Sequence, residues 1–537
     1  MPTLDWIGKK AVVNHHREVP YRLIHCDGDL SAGDPDAGNL LVQGDNLEAL
    51  KSLLPYYAGK VKCIYIDPPY NTGNEGWVYN DNVASPEIKA WLGKVVGKEA
   101  EDLSRHDKWL CMMYPRLRLL REFLHEDGVI FMSIDGHAMH HAKMLMDEIF
   151  GPQCHKNTIS VRRGIKSVQA QFEDIDSLSQ GHEYILFYSR KQNLRLPKLM
   201  IGTDVEQPGK WDTFWRGTDR HTMRYELFGF TPDSGQWRWE EGRTKRAIKN
   251  YHKFCDDAPD EMTLDEWYLE HLAATNIKLD FVRKNEEGRT QYYVPPRGGK
   301  LSSDNWMDIL LSGSETVFDT EKNIKIVSRI VSWITDDGDL ILDSFAGSGT
   351  TGHSVLETNK IDGKNRHFIL VEMDETIAPD ITAKRLRRVI GGYDKGGDAE
   401  KPVEPLGGGF RYCRLGTPLF NEFGDIDGGV VFPDLAAHVF FSETGSPLPH
   451  KVDTATSFIG THKDKAVYLL FSPAEQGVPR EASGNVLTPD ALANLSIPFN
   501  DFEGVRVVYA EGCTVSPERL KAEGVIFKQI PYQIEGN

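Results

Sequence analysis

Apolar residues first gather at Leu40-Leu41-Val42, give way to Gln43-Gly44-Asp45-Asn46, and resume at helical spacing through Leu47, Leu50 and Leu54. This is the pattern of a strand that enters a helix through a polar turn. Val61-Lys62-Cys63-Ile64-Tyr65-Ile66 forms a second strand, which stops at Asp67-Pro68-Pro69-Tyr70. From Trp109 to Leu124 the positions Leu110, Met113, Leu117, Leu120 and Leu124 repeat near helical spacing, and Pro115 predicts a start or a kink. Runs of buried-strand type follow at 128–134 and 184–188. Two more, Leu340-Ile341-Leu342-Asp343 and Phe368-Ile369-Leu370-Val371-Glu372, are separated by a helix from about Thr350. Short β-rich runs alternating with helices predict an α/β fold with a doubly wound, mostly parallel, Rossmann-like sheet.

Between the two halves of that sheet the pattern dissolves into a polar, aromatic stretch with Trp211, Trp215, Trp237, Trp239 and the basic run Arg243-Thr244-Lys245-Arg246. It reads as an inserted domain. Gly407-Gly408-Gly409 reads as a hinge that closes the sheet domain, and a separate α/β module follows, with strands near 466–471 and 505–509. The expected division is 1–190, 191–310, 311–415 and 416–537. A chain of 537 residues exceeds the ~250–300 at which one core stops growing, in keeping with several domains.

Composition narrows the class. Lys+Arg number 62 against Asp+Glu 79, a net charge of −17, which argues against a surface that coats nucleic acid or anionic membrane throughout. Seven scattered cysteines without a C-x-x-C pair predict reduced thiols in a cytosolic protein. The start MPTLDWIGKK lacks the apolar run of a signal peptide, and no stretch approaches the ~18 apolar residues of a membrane span. An intracellular protein without a membrane partner is expected.

Two turns carry chemistry. Asp67-Pro68-Pro69-Tyr70 stands at the carboxyl end of a strand, where open α/β sheets bind their ligands. The prolines remove backbone donors and stiffen the turn, so that a carboxylate and a fixed carbonyl together suit an amino group with two N–H donors. The neighbouring ring offers a stacking face for a flat base. The second turn, Asp343-Ser344-Phe345-Ala346-Gly347-Ser348-Gly349-Thr350-Thr351-Gly352, runs from a strand through glycines into a helix. Glycines let backbone approach a cofactor closely, and a helix N-terminus favours an anion. Gly347, Gly349 and Gly352 formally satisfy G-x-G-x-x-G, and Glu372 could hold ribose hydroxyls. A nicotinamide-dependent oxidoreductase is therefore a rival, but it leaves the Asp67 turn unexplained. His137, His140 and His141 lack the Glu of H-E-x-x-H and are read as ordinary helix residues, so no metal is expected. The four tryptophans could stack on bases or simply pack.

Taken together, Asp-Pro-Pro-Tyr followed by Asp-x-Phe-x-Gly-x-Gly, split by an insertion, resembles the β-class amino-methyltransferases of DNA. Gln43-Gly44-Asp45-Asn46-Leu47-Glu48-Ala49-Leu50, Pro69-Tyr70-Asn71-Thr72-Gly73 and Gly408-Gly409-Phe410-Arg411-Tyr412 look like the modification subunit of type III restriction systems and its stand-alone relatives. The resemblance implies a circularly permuted methyltransferase sheet, an inserted target recognition domain, and methyl transfer from S-adenosylmethionine to adenine N6 of double-stranded DNA. It implies that Asp67 and the Pro68 carbonyl accept from the flipped base's amine, with Pro69 stiffening the turn and Tyr70 stacking on the base. Phe345, Gly347 and Gly349 would pack against the cofactor above Asp343, Glu372 would hold its ribose, and Asp45 would lie by its adenine. Lys322 matches the lysine of a Pro-Lys-Pro segment at the cofactor, although Glu321 and Asn323 replace both prolines.

No covalent enzyme intermediate is needed: two acceptors push the amine toward a tetrahedral, more nucleophilic geometry aligned with the methyl group. Asp at position 67 favours adenine N6 over cytosine N4 by family analogy. Residues 155–250 hold 17 Lys+Arg against 12 Asp+Glu, whereas 421–537 hold 8 against 16. A basic recognition segment suits phosphate contact, with Arg243, Lys245 and Arg246 as its candidates, and the acidic tail suits a protein partner. A homodimer, a helicase–nuclease partner and a place at the nucleoid of a prokaryotic cytoplasm complete the expectation. The alternatives are a chain that serves mainly as recognition scaffold for that partner, or methylation of cytosine N4 in place of adenine N6.

Overall fold

The computed structural model describes residues 4–69, 98–164, 178, 180–201, 208–259, 262–275, 277–296, 300–311, 322–394, 402–421, 424–472, 484–496 and 502–530, without the side chains of 98–105 and 300. Ten strands form one mixed sheet. They are β1 (Arg22–Gly33), β2 (Leu40–Gln43), β3 (Val61–Ile66), β4 (Leu124–Ile134), β5 (His155–Arg162), β6 (His182–Ser189), β7 (Asn305–Leu310), β8 (Leu340–Asp343), β9 (His367–Glu372) and β10 (Gly409–Pro418). Their order across the sheet is β1-β10-β2-β9-β8-β3-β4-β6-β5-β7. From β10 to β4 every pair is parallel. β1 is antiparallel to β10, and β6 is antiparallel to both β4 and β5.

The central strands are apolar along almost their whole length, with β3 and β9 buried at every position but one. Such runs are what a parallel sheet covered on both faces requires. The covering helices include α1 (Asn46–Tyr57), α2 (Lys98–Phe123), α3 (Met139–Phe150), α4 (Ile324–Ile334), α5 (Thr350–Asp362), α6 (Lys384–Gly391) and α7 (Phe432–Thr444). Leu47, Leu50 and Leu54 of α1 share one core with Trp109, Leu117 and Phe123 of α2 and Leu145 of α3. Pro115 lies inside α2 and not at its start.

Several expectations change. The glycine run at 407–409 opens a strand of the sheet instead of closing its domain: β10 lies between β1 and β2. A Cβ at Gly409 would come within 2.3 Å of the Asp34 backbone, so close strand contact, not a hinge, explains this glycine. Cys26 and Cys413 face each other across β1 and β10 and form a disulfide, which corrects the expectation of reduced thiols throughout. Their separation of 387 residues hides the pair from any local reading. Cys63, Cys111, Cys154, Cys255 and Cys513 are not in disulfides.

Residues Lys198–Ser303 form one compact unit, and Met1–Pro197 with Asp304–Asn537 form another. The expected insertion of 191–310 is thus trimmed, because Asn305–Leu310 pairs with β5 as an edge strand. The smaller unit joins Val282–Lys284, Thr290–Val294 and Lys210–Thr213 in one sheet and packs aromatic cores around Phe214 and Phe281. In the larger unit the C-terminal segment builds its own four-stranded sheet from Phe458–His462, Lys465–Leu470, Val505–Ala510 and Val525–Gln529. It is not a detached module: its core takes in Tyr21 and Leu23 from the start of the chain, and the Tyr56 hydroxyl of α1 donates to Asp434 of α7 at 3.3 Å.

Candidate active site

Strands β2, β9, β8 and β3 are neighbours and all parallel. The turns that leave their carboxyl ends therefore share one edge of the sheet, and these turns carry Asp45, Glu372, Phe345 and Asp67. Residues some 300 positions apart in the chain become a single row.

After Ile66 the chain leaves β3 through Asp67, Pro68 and Pro69; Tyr70 lies outside the described residues. The fully buried Trp109 of α2 donates its indole N–H to the Pro69 carbonyl at 2.8 Å. That bond fixes the turn from behind. Asp67 Oδ1 lies 3.4 Å from Lys322 Nζ, and the same ammonium lies 3.5 Å from Oε2 of the buried Glu183 on β6. Arg163 Nε stands 3.4 Å from the other oxygen of Glu183. Lys322, expected at the cofactor, is thus placed against the Asp67 carboxylate. The cause is local: Asn323 caps α4 by accepting from Lys325 N–H at 3.0 Å and donates to Leu310 O at 2.9 Å, which sets Lys322 beside the start of β6.

On the neighbouring turn, Asp343 accepts from Phe345 N–H at 2.9 Å and from the Thr351 hydroxyl at 2.6 Å. It ties the glycine turn to the first residues of α5. Burial pushes its carboxyl up to about 7, against the pull of those two bonds, with Asp67 and Glu372 adding to the rise. Gly347 and Gly349 have φ of 50° and 80°, a region that side-chain-bearing residues avoid. Gly347 N–H donates to Glu372 Oε2 at 2.8 Å, and Asp374 N–H donates to Oε1 at 3.0 Å. Burial raises the Glu372 carboxyl as well. Among the described residues, and beyond its two chain neighbours, no atom comes within 4 Å of where a Cβ on Gly347 would stand, so the backbone here faces open space among them. That cradle suits a bulky cofactor approaching the main chain.

Asp45 caps α1, accepting from Leu47 N–H at 2.9 Å and Glu48 N–H at 3.1 Å. Arg116 of α2, wholly buried, reaches its other oxygen at 3.2 Å, donates to Met112 O at 2.8 Å and also bonds Asn46. Asn46 in turn donates to Ser344 O at 3.1 Å. One guanidinium therefore links the turn after β2 to the turn after β8. Arg116, Trp109 and Glu183 escaped the sequence reading. Trp109 and Arg116 sit within an apolar helical pattern, where an arginine without a visible partner was the one available signal. Glu183, on β6, stands just before the apolar run 184–188 that marks this strand in the sequence and carries no such signal.

Elsewhere, Arg243, Lys245 and Arg246 stand in the first turns of the helix Glu241–Asp257. Arg243 forms a two-pronged pair with Asp280 at 2.7 and 3.0 Å and lies over Trp239. Lys245 pairs with Glu241 at 2.6 Å and Arg246 with Glu240 at 3.6 Å, both largely exposed. Trp237 is buried, whereas Trp215 is 43% exposed. His137 bonds Asp135 at 2.8 Å and His141 stacks on His106; among the described residues no cluster could hold a metal ion. Among them, too, no helix is long and apolar enough to cross a membrane.

A carboxylate–proline turn beside a glycine turn stands at the carboxyl edge of a parallel, Rossmann-like sheet, where such sheets bind their ligands. The family model described as DNA methylase, of the N6/N4 type, matches residues 61–384, and the chain belongs to that family. It is 28% identical to the Mod subunit of the type III restriction-modification enzyme StyLTI of Salmonella typhimurium, over 95% of this chain and 79% of that one. Identity to the EcoP15I Mod subunit of Escherichia coli is 29%, over 70% and 64%. The type II methyltransferase M.KpnI of Klebsiella pneumoniae is 29% identical, over 65% and 84%. Among solved structures, the M1.HpyAVI–SAM complex aligns with 65% of this chain and 100% of its own at 12% identity and a TM-score of 0.30. The cytosine-N4-specific PvuII DNA methyltransferase aligns with 65% and 86% at 11% and 0.30.

Proposed function

We propose that this DNA methylase transfers a methyl group from S-adenosylmethionine to adenine N6 at a specific sequence in double-stranded DNA. The observation that carries the proposal is the row of adjacent turns. The Asp67 turn, built to receive an amine, stands directly beside the Gly347–Glu372 turn, whose open backbone and buried carboxylate suit a nucleoside cofactor. S-adenosylmethionine supplies an activated methyl when bound, and Phe345, Gly347, Gly349 and Glu372 are the residues that would hold it.

The chain's own work is to position the amine. The target base leaves the stack, at roughly a few kcal/mol, and Asp67 with the Pro68 carbonyl accepts its two N–H groups while Tyr70 stacks on the ring. Lys322 Nζ stands 3.4 Å from Asp67 Oδ1, so an entering amine meets an ammonium already paired with that carboxylate. As the amine enters, the ammonium passes to Glu183, already 3.5 Å away, so no bare carboxylate is left buried. The residue at 67 and the type III Mod relatives favour adenine N6.

Within the same proposal, the insertion recognises the target, with the exposed Lys245 and Arg246 on phosphates; Arg243 is already engaged by Asp280. The chain pairs with a second copy and with a helicase–nuclease restriction subunit, and works at the nucleoid. Replacing Lys245 and Arg246 together with Ala lowers DNA affinity and reduces the salt slope by about two; titration at several salt concentrations checks this, and an unchanged slope moves the phosphate contacts elsewhere. Asp67→Ala abolishes transfer of labelled methyl to DNA while DNA binding persists; retained transfer contradicts the assignment.

A further inference from the structure

The compact unit Lys198–Ser303 holds a cleft of about 480 Å³ lined by the four aromatic rings of Trp215, Phe228, Phe230 and Trp237 and by the charged Asp233, Lys284 and Arg289. Trp237 is its floor, 3% exposed and stacked on Phe214 with ring centres 5.7 Å apart. Trp215 is one wall, and although exposed it is held still. Its indole N–H donates to Ser234 O at 2.9 Å, and one ring face lies so close to Gly235 that a Cβ there would come within 2.5 Å of it. Phe230, 55% exposed, meets Trp237 edge-on at 6.2 Å. Phe228 reaches the cleft from a two-residue turn closed by Leu227 and Phe230 at 2.9 and 3.1 Å. Its φ of 52° is uncommon for a side-chain-bearing residue, and such strain tends to persist where a side chain must be aimed.

An exposed, hydrogen-bonded tryptophan that lines the same cleft as a second exposed ring offers a stacking platform for a flat ring system. The rim supplies what a nucleotide adds to that ring. Lys284, anchored to Phe228 O at 3.3 Å, and Arg289, exposed beside Glu287 at 3.5 Å, offer positive charge to a phosphate. Asp233 offers an acceptor to an exocyclic amine. An apolar peptide would use the rings and leave two cations and a carboxylate without purpose. We infer that this cleft receives a single nucleotide of the DNA substrate held outside the base stack, at a place distinct from the Asp67 turn. The inference rests on the DNA-methylase reading for the source of the nucleotide alone.

The test measures full-length protein binding to two labelled duplexes, one fully paired and one with a single unpaired nucleotide, by fluorescence anisotropy. Wild type binds the unpaired duplex about tenfold more tightly, the scale of one base stacked on an aromatic ring. Trp215→Ala and Phe230→Ala each remove that advantage without changing affinity for the paired duplex, and Trp215→Phe keeps most of it. Asp67→Ala also keeps it, which separates the cleft from the catalytic turn. Equal affinity for both duplexes, or an advantage that survives both alanine variants, overturns the inference. So does capture of a free deoxynucleoside monophosphate with no preference between the duplexes. Methyl transfer assayed on the same preparation distinguishes the failures. A chain that methylates DNA without a Trp215-dependent preference loses the cleft alone, and one with the preference but no methyl transfer loses the reading of the Asp67 site.

Discussion

Glu183 belongs to no motif, yet it shares one lysine with Asp67, the residue proposed to receive the amine. Lys322 Nζ stands 3.4 Å from Asp67 and 3.5 Å from Glu183, so its position depends on the balance between two carboxylates. Glu183→Gln leaves Asp67 as the stronger attraction, and the incoming amine must then compete with a tightly held ammonium. The expected result is a fall in kcat of about tenfold, or ~1.4 kcal/mol, with cofactor affinity unchanged. Adding Lys322→Met to that variant restores most of the loss, because the competitor is gone. Additive losses in the double variant would show that Glu183 serves stability alone. The place of Asp67 at the carboxyl end of β3 is legible in the sequence because the strand and the two prolines that bound its turn are contiguous. Lys322 and Glu183, 139 residues apart, gain their meaning only from the order of strands.

The glycine turn and the turn after β2 show what elements contribute. Each is a short loop, and neither holds its shape alone; Arg116 ties Asp45 and Asn46 together, and Asn46 ties them to Ser344. Arg116→Leu leaves these acceptors unpaired in a buried site and should lower stability by about 2–3 kcal/mol, with weaker cofactor binding at temperatures where the chain is still folded. Denaturant unfolding and cofactor titration measure both; stability unchanged within 0.5 kcal/mol, approximately the scatter of a surface substitution, contradicts the role. The strands next to these turns were visible as continuous apolar runs, since both their faces are buried. β1, β7 and β10 were not. β1 and β7 leave many positions exposed, and β10 begins with glycines that resemble a linker. Their pairing is set by residues hundreds of positions away, as the Cys26–Cys413 contact shows.

Across the whole molecule, two buried histidines couple the chain's ends to pH. Burial holds His16 down to about 4 and His438 down to about 3, with Lys51 opposing the charge on both. An unfolded histidine titrates near 6.5. Below that value the unfolded chain takes up protons that the native one refuses. Stability is therefore full above pH 6.5 and falls as pH drops toward 4, by ~1.4 kcal/mol per pH unit for each histidine. Thermal unfolding from pH 7 to pH 5 should show this loss, and His438→Leu should lessen it; a flat profile would contradict it.

Charge at this scale also reads differently once the fold is known. The basic surplus of residues 155–250 in the sequence does not carry over to the folded unit. The compact unit 198–303 in fact holds 17 Lys+Arg against 18 Asp+Glu, and many of these are paired with each other. The proposed hold of this unit on DNA therefore rests on where cations stand, not on net charge.

The central claim is methylation of adenine at the Asp67 turn. Its most direct test is modification-sensitive sequencing of DNA from a methylation-free bacterial host expressing either the wild-type chain or Asp67→Ala. The predicted result is N6-methyladenine at one recurring sequence with wild type and none with the variant. Methylcytosine in place of methyladenine, or the same methyladenine with Asp67→Ala, would contradict it.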